Sequence, residues 1–160
     1  MKVGFLGCGN IAQAMIMGLL ESGLNSASIT VLTRNQKKKK FFEKNSIKSL
    51  AVCKANSAKF DFIFLCVKPK DVKNAIKDSR IYWENTTLVS VVAGISSLKL
   101  KLFANSEKVI RIMPTTSAEF SKSITAIFMA EEQKKQTKKL IPLINKMGST
   151  IELSSETVSY

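Results

Sequence analysis

The sequence contains no histidine. That removes Ser-His and Cys-His nucleophile pairs and any metal site built on imidazole. Cysteine is scarce: Cys8, Cys53 and Cys66 are odd in number and are not spaced as zinc ligands. They read as small buried hydrophobes of a reducing compartment rather than as a disulfide framework or a metal centre. Arginine is scarce too, with only Arg34, Arg80 and Arg111 among 25 basic residues set against 12 acids. A formal charge of +13 would attract an anionic partner such as nucleic acid. Bidentate base and phosphate contacts are made mainly by Arg, however, and the chain has no aromatic platform or helix-turn-helix signature, so the lysine excess reads as solvated surface. No apolar run approaches the roughly 18 residues that span a bilayer. The amino-terminal stretch, one lysine before a short apolar run broken by glycines, lacks the pattern of a signal peptide. The expectation is a cytoplasmic chain with no nucleic-acid partner, no membrane partner and no metal.

What is present is enough for one domain with its own core: 160 residues, 45% hydrophobic. Strand and helix patterns alternate. Short apolar runs predict strands over 3–6, 29–32, 50–53, 62–67, 88–92, 109–113, 124–129 and 151–153. Helical periodicity marks 10–21, with Gly23 as its stop, then 38–45, 71–78 and 98–103 with Ser97 as N-cap. A long helix over 131–147 ends at Gly148; its lysines 134, 135, 138 and 139 form a polar face opposite Leu140, Ile144 and Met147. The run 62–67 is apolar at every position, as in a strand buried on both faces. This alternation predicts an α/β fold of Rossmann type, a doubly wound and mostly parallel sheet with helices on both faces.

The stretch Gly7-Cys8-Gly9-Asn10-Ile11-Ala12 fits G-x-G-x-x-A between the first strand and the first helix. The first glycine permits a sharp turn, the second lets a pyrophosphate approach the backbone, and the small Ala12 lets helix and strand pack closely. The helix amino terminus then offers N–H groups and a positive dipole to phosphates. An NAD-preferring domain would end its second strand with an acid bonded to the ribose hydroxyls; here the sequence is Thr33-Arg34-Asn35. A cation in that place suits a 2′-phosphate, so the expected cofactor is NADP(H), with NAD(H) as the alternative. The rival reading of Arg34 is an ordinary surface cation. Lys68 follows the buried fourth strand and precedes Pro69, and Arg111 lies within an apolar strand, where an unpaired charge is costly. Its anionic partner is a ligand or a structural carboxylate.

Three further stretches, "FLCVKPKD" at 64–71, "VSVVAGIS" at 89–96 and "VIRIMPTTS" at 109–117, each fall at the carboxyl end of a predicted strand. Together with "GFLGCGNIAQAMIMGL" they resemble pyrroline-5-carboxylate reductase, in register over essentially the whole chain. The resemblance implies NADPH-dependent reduction of 1-pyrroline-5-carboxylate, an imino-acid small molecule, to proline. It implies that Leu6, Gly7, Cys8, Gly9, Asn10 and Ile11 line the pyrophosphate. Thr33, Arg34, Asn35 and Asn56 would hold the adenosine end, and Cys66, Val67, Lys68 and Pro69 would pass beside the ribose and nicotinamide. Ala93 and Gly94 would let the backbone approach the nicotinamide, and Arg111, Met113, Pro114 and Thr116 would shape the substrate side.

No residue is implied as general acid. The chain departs from the family after Pro114, where N-T-P and a glycine-containing loop are usual and residues 115–123 carry no glycine. The family's helical dimerisation domain would begin near Tyr160. Hence residues 1–153 are expected to be an NADP-binding domain and 154–160 the start of a linker. The full-length family member would be a homodimer or higher, and this piece a monomer inactive by itself. Two rival readings are a non-catalytic NADP-binding or regulatory module and another Rossmann oxidoreductase such as a β-hydroxyacid dehydrogenase.

Overall fold

A computed structural model describes residues 1–114, 122–128 and 131–153. Its elements alternate as the sequence pattern implies: β1 (Val3–Leu6), α1 (Asn10–Glu21), β2 (Ile29–Leu32), α2 (Gln36–Lys44), β3 (Lys48–Leu50), β4 (Phe62–Leu65), α3 (Val72–Ser79), β5 (Thr87–Ser90), α4 (Ser97–Ala104), β6 (Val109–Met113), β7 (Ser123–Phe128), α5 (Lys134–Asn145) and β8 (Gly148–Leu153). They form one sheet in the order β3-β2-β1-β4-β5-β6-β7-β8. β1 to β6 are parallel, β7 runs antiparallel to β6, and β8 is parallel to β7. This is the expected Rossmann-type doubly wound sheet.

The period-2 alternation of strand side chains feeds two cores. On one face Phe5, Phe62 and Phe64 pack with Met15, Leu19, Phe42, Leu140 and Ile144, from α1, α2 and α5. The Phe5 and Phe64 rings stack with centroids 4.9 Å apart. On the other face Leu6, Ile63, Leu65 and Leu88 pack with Val72, Ile76, Trp83 and Leu100, so α3 and α4 cover it. Consecutive crossovers therefore switch faces after β3, and the strand order reverses between β1 and β4. Ligands of open α/β sheets bind outside the strand carboxyl ends at such a switch point.

Local chemistry accounts for the element boundaries. α1 closes as expected at Gly23 (φ +96). The Gly23 N–H donates to the Leu20 carbonyl and the Leu24 N–H to the Leu19 carbonyl, with Leu24 packed on the core. This is a Schellman-type end. Four expectations are corrected. Of the cysteines read as buried, Cys66 is buried, Cys8 is half-buried and Cys53 is exposed, because it falls between Val52 and Ala55, the two positions that residues 52–57 bury. The third strand is Lys48–Leu50, and 52–57 form a 3-10 turn, because Val52 and Ala55 at i and i+3 are the two buried positions there. The N-cap of α4 is Ser96, not Ser97: Ser96 is extended (φ −70, ψ 157) and its Oγ accepts the Lys99 N–H. The last helix is shorter than 131–147, with a 3-10 turn at Glu131–Gln133, and Met147 and Gly148 turn the chain into β8. Lysines 134, 135, 138 and 139 are exposed while Leu140, Ile144 and Met147 are buried. No helix among the described residues is long and apolar enough to cross a membrane.

Candidate functional site

The carboxyl ends of β3, β2, β1 and β4 are tied at one level by backbone hydrogen bonds. The Gly7 N–H donates to the Leu32 carbonyl (3.1 Å), the Cys66 N–H to the Leu6 carbonyl (2.8 Å) and the Thr33 N–H to the Leu50 carbonyl (3.1 Å). Directly past these ties the chain leaves β1 through the glycine turn, and the two glycines differ in kind. Gly7 has φ +102, and a Cβ there would lie 2.7 Å from the Cys66 carbonyl oxygen and 2.9 Å from Val67 Cγ1. Its backbone and its packing both exclude a side chain. Gly9 has φ −70 and ψ −171, extended backbone that any residue adopts. A Cβ on Gly9 would meet nothing within 4 Å. The fold does not require glycine at 9, so the space left open there is available to a ligand.

Gly9 is also the N-cap of α1, with no side-chain cap and no acid in the first turn. The amino terminus of α1 is therefore left to whatever acceptor approaches from outside. Gln13, which sequence reasoning did not single out, donates from Nε2 to the Cys8 carbonyl (3.1 Å) and pins the turn from the helix side. Cys8 Sγ lies 3.1 Å from Thr33 Oγ1, joining the glycine turn to the end of β2. Thr33 Oγ1 also accepts the Asn35 N–H (3.0 Å), and Asn35 Oδ1 accepts the Lys38 N–H (3.1 Å) as the N-cap of α2. Asn35 thus has a structural task, which the sequence reading did not assign to it.

The carboxyl ends of β1 and β2, the 52–57 turn and the start of α3 line a cleft of about 310 Å³; Cys8, Gly9, Asn10 and Ile11 of the expected set are not among its lining residues. It brings together Leu6, Gly7, Thr33, Arg34, Asn35 and Val67 from the expected set. It adds Leu32, Val52, Asp71, Asn74 and Ala75, which the sequence reading missed. Asp71, Asn74 and Ala75 come from the start of α3; the only signal for them was that α3 opens beside the fourth strand's carboxyl end. Arg34 stands on the rim with its side chain 68% exposed and pairs with Asp78 of α3.

The other expected residues are distributed along the same edge. Asn10 and Ile11 begin α1. Cys66 is buried, and burial pushes its thiol pKa far up. Lys68 and Pro69 are exposed at the 3-10 turn Pro69–Asp71. Asn56 is exposed in the turn Val52–Ser57 and does not line the cleft. Ala93 and Gly94 are exposed after β5, with Gly94 at φ +78 and open space where its Cβ would be. Met113 is 37% exposed at the end of β6, whereas Arg111 is 2% exposed and pairs with Phe128 in the sheet register. Pro114 follows Met113 half-buried. Thr116 and the departures at 115–121 lie outside the described residues. From β2 to β6 the edge spans four strand spacings, about 19 Å. No group of three or more His, Cys, Asp or Glu side chains that could hold a metal occurs among the described residues.

Residues 2–94, more than half of the chain, match the family described as NADP oxidoreductase coenzyme F420-dependent. The chain belongs to that family. Its relatives bear out the resemblance drawn from the motifs. Pyrroline-5-carboxylate reductase 2 of Bacillus subtilis is 33% identical over 138 residues, which is 84% of this chain and 50% of the relative. Among solved structures, a pyrroline-5-carboxylate reductase from Coxiella burnetii matches with a TM-score of 0.87 and 24% identity, over 99% of this chain and 60% of that one. The Plasmodium falciparum pyrroline carboxylate reductase, solved with NADP bound, matches with a TM-score of 0.85 and 17% identity, over 99% and 59%. This member of the NADP oxidoreductase coenzyme F420-dependent family thus spans between half and three-fifths of the length of these pyrroline-5-carboxylate reductases. At these identities the two structural matches describe its fold.

Proposed function

We propose that residues 1–153 form an NADP(H)-binding domain that serves the reduction of 1-pyrroline-5-carboxylate to proline. The observation that carries the cofactor reading is the pair of glycines. Gly7 is demanded by the fold, while Gly9 leaves an unfilled cradle at an uncapped helix terminus. A diphosphate fits that cradle, because it brings the negative charge and acceptor oxygens that the first turn of α1 is placed to receive. The end of β2 then selects the nucleotide: an acid there would repel a 2′-phosphate, and this chain has Arg34.

The bound cofactor would supply a hydride to the carbon of the C=N bond, with one proton going to nitrogen. The chain's own part is placement. Thr33 and Arg34 hold the adenosine end over β2. Gly7 to Ile11 receive the pyrophosphate, and Val67 and Lys68 carry the path along β4. Ala93 and Gly94, the latter with open space where a Cβ would lie, admit the nicotinamide end near β5. Met113 and Pro114 form the adjoining substrate side at the end of β6. The similarity to pyrroline-5-carboxylate reductases supports the choice of imino acid over a hydroxy acid.

The cofactor part is tested by titrating NADPH and NADH against wild type and Arg34→Ala. A charge-assisted contact to phosphate contributes about 1.5–3 kcal/mol, so the NADPH preference should fall roughly 10- to 150-fold in the variant. An unchanged ratio refutes the reading. NADPH oxidation dependent on 1-pyrroline-5-carboxylate, measured on the complete gene product, tests the substrate.

A further inference from the structure

Beside the cofactor cleft lies a second cavity of about 300 Å³, and Arg34 and Val52 line both. The second cavity is walled by Cys53 from the 52–57 turn and by Lys77, Asp78 and Arg80 from the carboxyl end of α3. It therefore gathers three cations around one carboxylate. Arg34 is the partition between the two spaces, and its guanidinium Nη2 donates to Asp78 Oδ2. Arg80 reaches the same cavity from the left-handed C-cap of α3 (φ 54).

A 2′-phosphate drawn to Arg34 arrives as a dianion beside Asp78, so the two anions compete for one guanidinium. A 2′-hydroxyl brings no charge and leaves the pair as it is. The pair is easily opened, because its side chains are 68% and 45% exposed and exposed ion pairs are weak. We propose that Asp78 is the counter-ion that Arg34 exchanges for the 2′-phosphate, and that it sets how strongly this site prefers NADP(H) over NAD(H). The proposal rests on the NADP(H) reading above. Asp78 acts through Arg34 and is a positioning residue; Lys77 and Arg80 keep the cavity cationic once the exchange has occurred.

Fluorescence titrations of NADPH and NADH against wild type, Asp78→Asn, Asp78→Glu, Arg34→Ala and the Arg34→Ala/Asp78→Asn double variant test this, with circular dichroism confirming that each is folded. Asp78→Asn is close to isosteric. It should tighten NADPH about two- to fivefold, the range of an exposed charge pair, with NADH affinity unchanged. Asp78→Glu, which restores a carboxylate, should return the ratio toward wild type, and the gain should vanish when Arg34 is absent. An unchanged or lowered NADPH/NADH preference in Asp78→Asn overturns the proposal, as does a gain that persists in the double variant. If Arg34→Ala leaves the wild-type ratio intact, the NADP(H) reading itself fails and the proposal falls with it. If Arg34→Ala lowers the ratio but Asp78→Asn does not raise it, only the role of Asp78 is refuted.

Discussion

Substituting the two glycines of the first turn should separate folding from ligand binding. In Gly7→Ala the new methyl group would sit 2.7 Å from the Cys66 carbonyl oxygen on a backbone with φ +102. The left-handed conformation costs a non-glycine residue about 1–2 kcal/mol. Pushing aside a packed neighbour adds about 1–3 kcal/mol, and here that neighbour is backbone tied by the Cys66–Leu6 hydrogen bond. The sum, about 2–5 kcal/mol, corresponds to a drop in Tm of roughly 4–20 °C for a chain of this size. Gly9→Val behaves in the opposite way. Its backbone is extended and its Cβ meets nothing, so the loss of stability should be only about 1 kcal/mol, that of a poorer N-cap residue. The branched side chain would fill the space over the first turn of α1, and NADPH affinity should fall by at least about a hundredfold, ~2.7 kcal/mol. Thermal melts followed by circular dichroism give the first quantity, and NADPH fluorescence titration of the folded proteins gives the second. A Gly7→Ala variant as stable as wild type would refute the structural argument. A folded Gly9→Val variant with wild-type NADPH affinity would refute the ligand argument.

Asn35→Ala removes the side chain that accepts the Lys38 N–H at the start of α2, and should lower stability by about 1 kcal/mol whether or not nucleotide is present; differential scanning calorimetry checks it. With an alkylating reagent under native conditions, exposed Cys53 should be modified first, and Cys66, buried with its thiol pKa pushed up, should resist until the chain unfolds. Peptide mapping by mass spectrometry reads this. The Lys101–Glu107–Glu132 cluster should make stability depend on pH at both ends. Burial pulls the Lys101 pKa down, but the hydrogen bonds Lys101 donates to Glu132 and Glu107, with their negative charges, outweigh it and raise it. Glu132 is held below its usual range by its own backbone N–H and by Lys101. The Glu132 contribution is therefore present above its unfolded-state pKa of about 4.3 and lost as pH falls through the lower folded value. The Lys101 contribution is present below about 10.4 and lost as pH rises through the higher folded value. Melts of wild type and Glu132→Gln should differ at neutral pH and converge in acid; a constant difference would refute this account.

Much of the fold was legible because its physical causes are local. Val3–Leu6, Ile29–Leu32 and Val109–Met113 are apolar runs with no other stable fate than a buried strand, and α1 carries its period and its Gly23 stop in consecutive residues. The glycine turn was legible as a G-x-G-x-x-A pattern because the turn and the helix start lie in consecutive residues, but the groups that exclude a side chain at Gly7, those of Cys66 and Val67, lie about sixty positions away. Element ends were less legible where two adjacent residues carry the same chemistry, as Ser96 and Ser97 do at α4. The strand expected over 50–53 overran into the 52–57 turn because what folds that turn is burial of Val52 and Ala55 against α3, a contact with residues about twenty positions away.

By itself, then, the sequence determined the alternating architecture, the edge of the sheet along which the motifs lie and the residue types set along that edge. Only the tertiary structure decided how those residues are used. It brought Asp71, Asn74 and Ala75 of the α3 region into the cleft. It also set Asp78 against Arg34, 44 residues apart in the chain. Helix and strand periods specify which face a side chain takes, but which distant side chain shares that face depends on how the crossovers pack, and no local pattern carries that information.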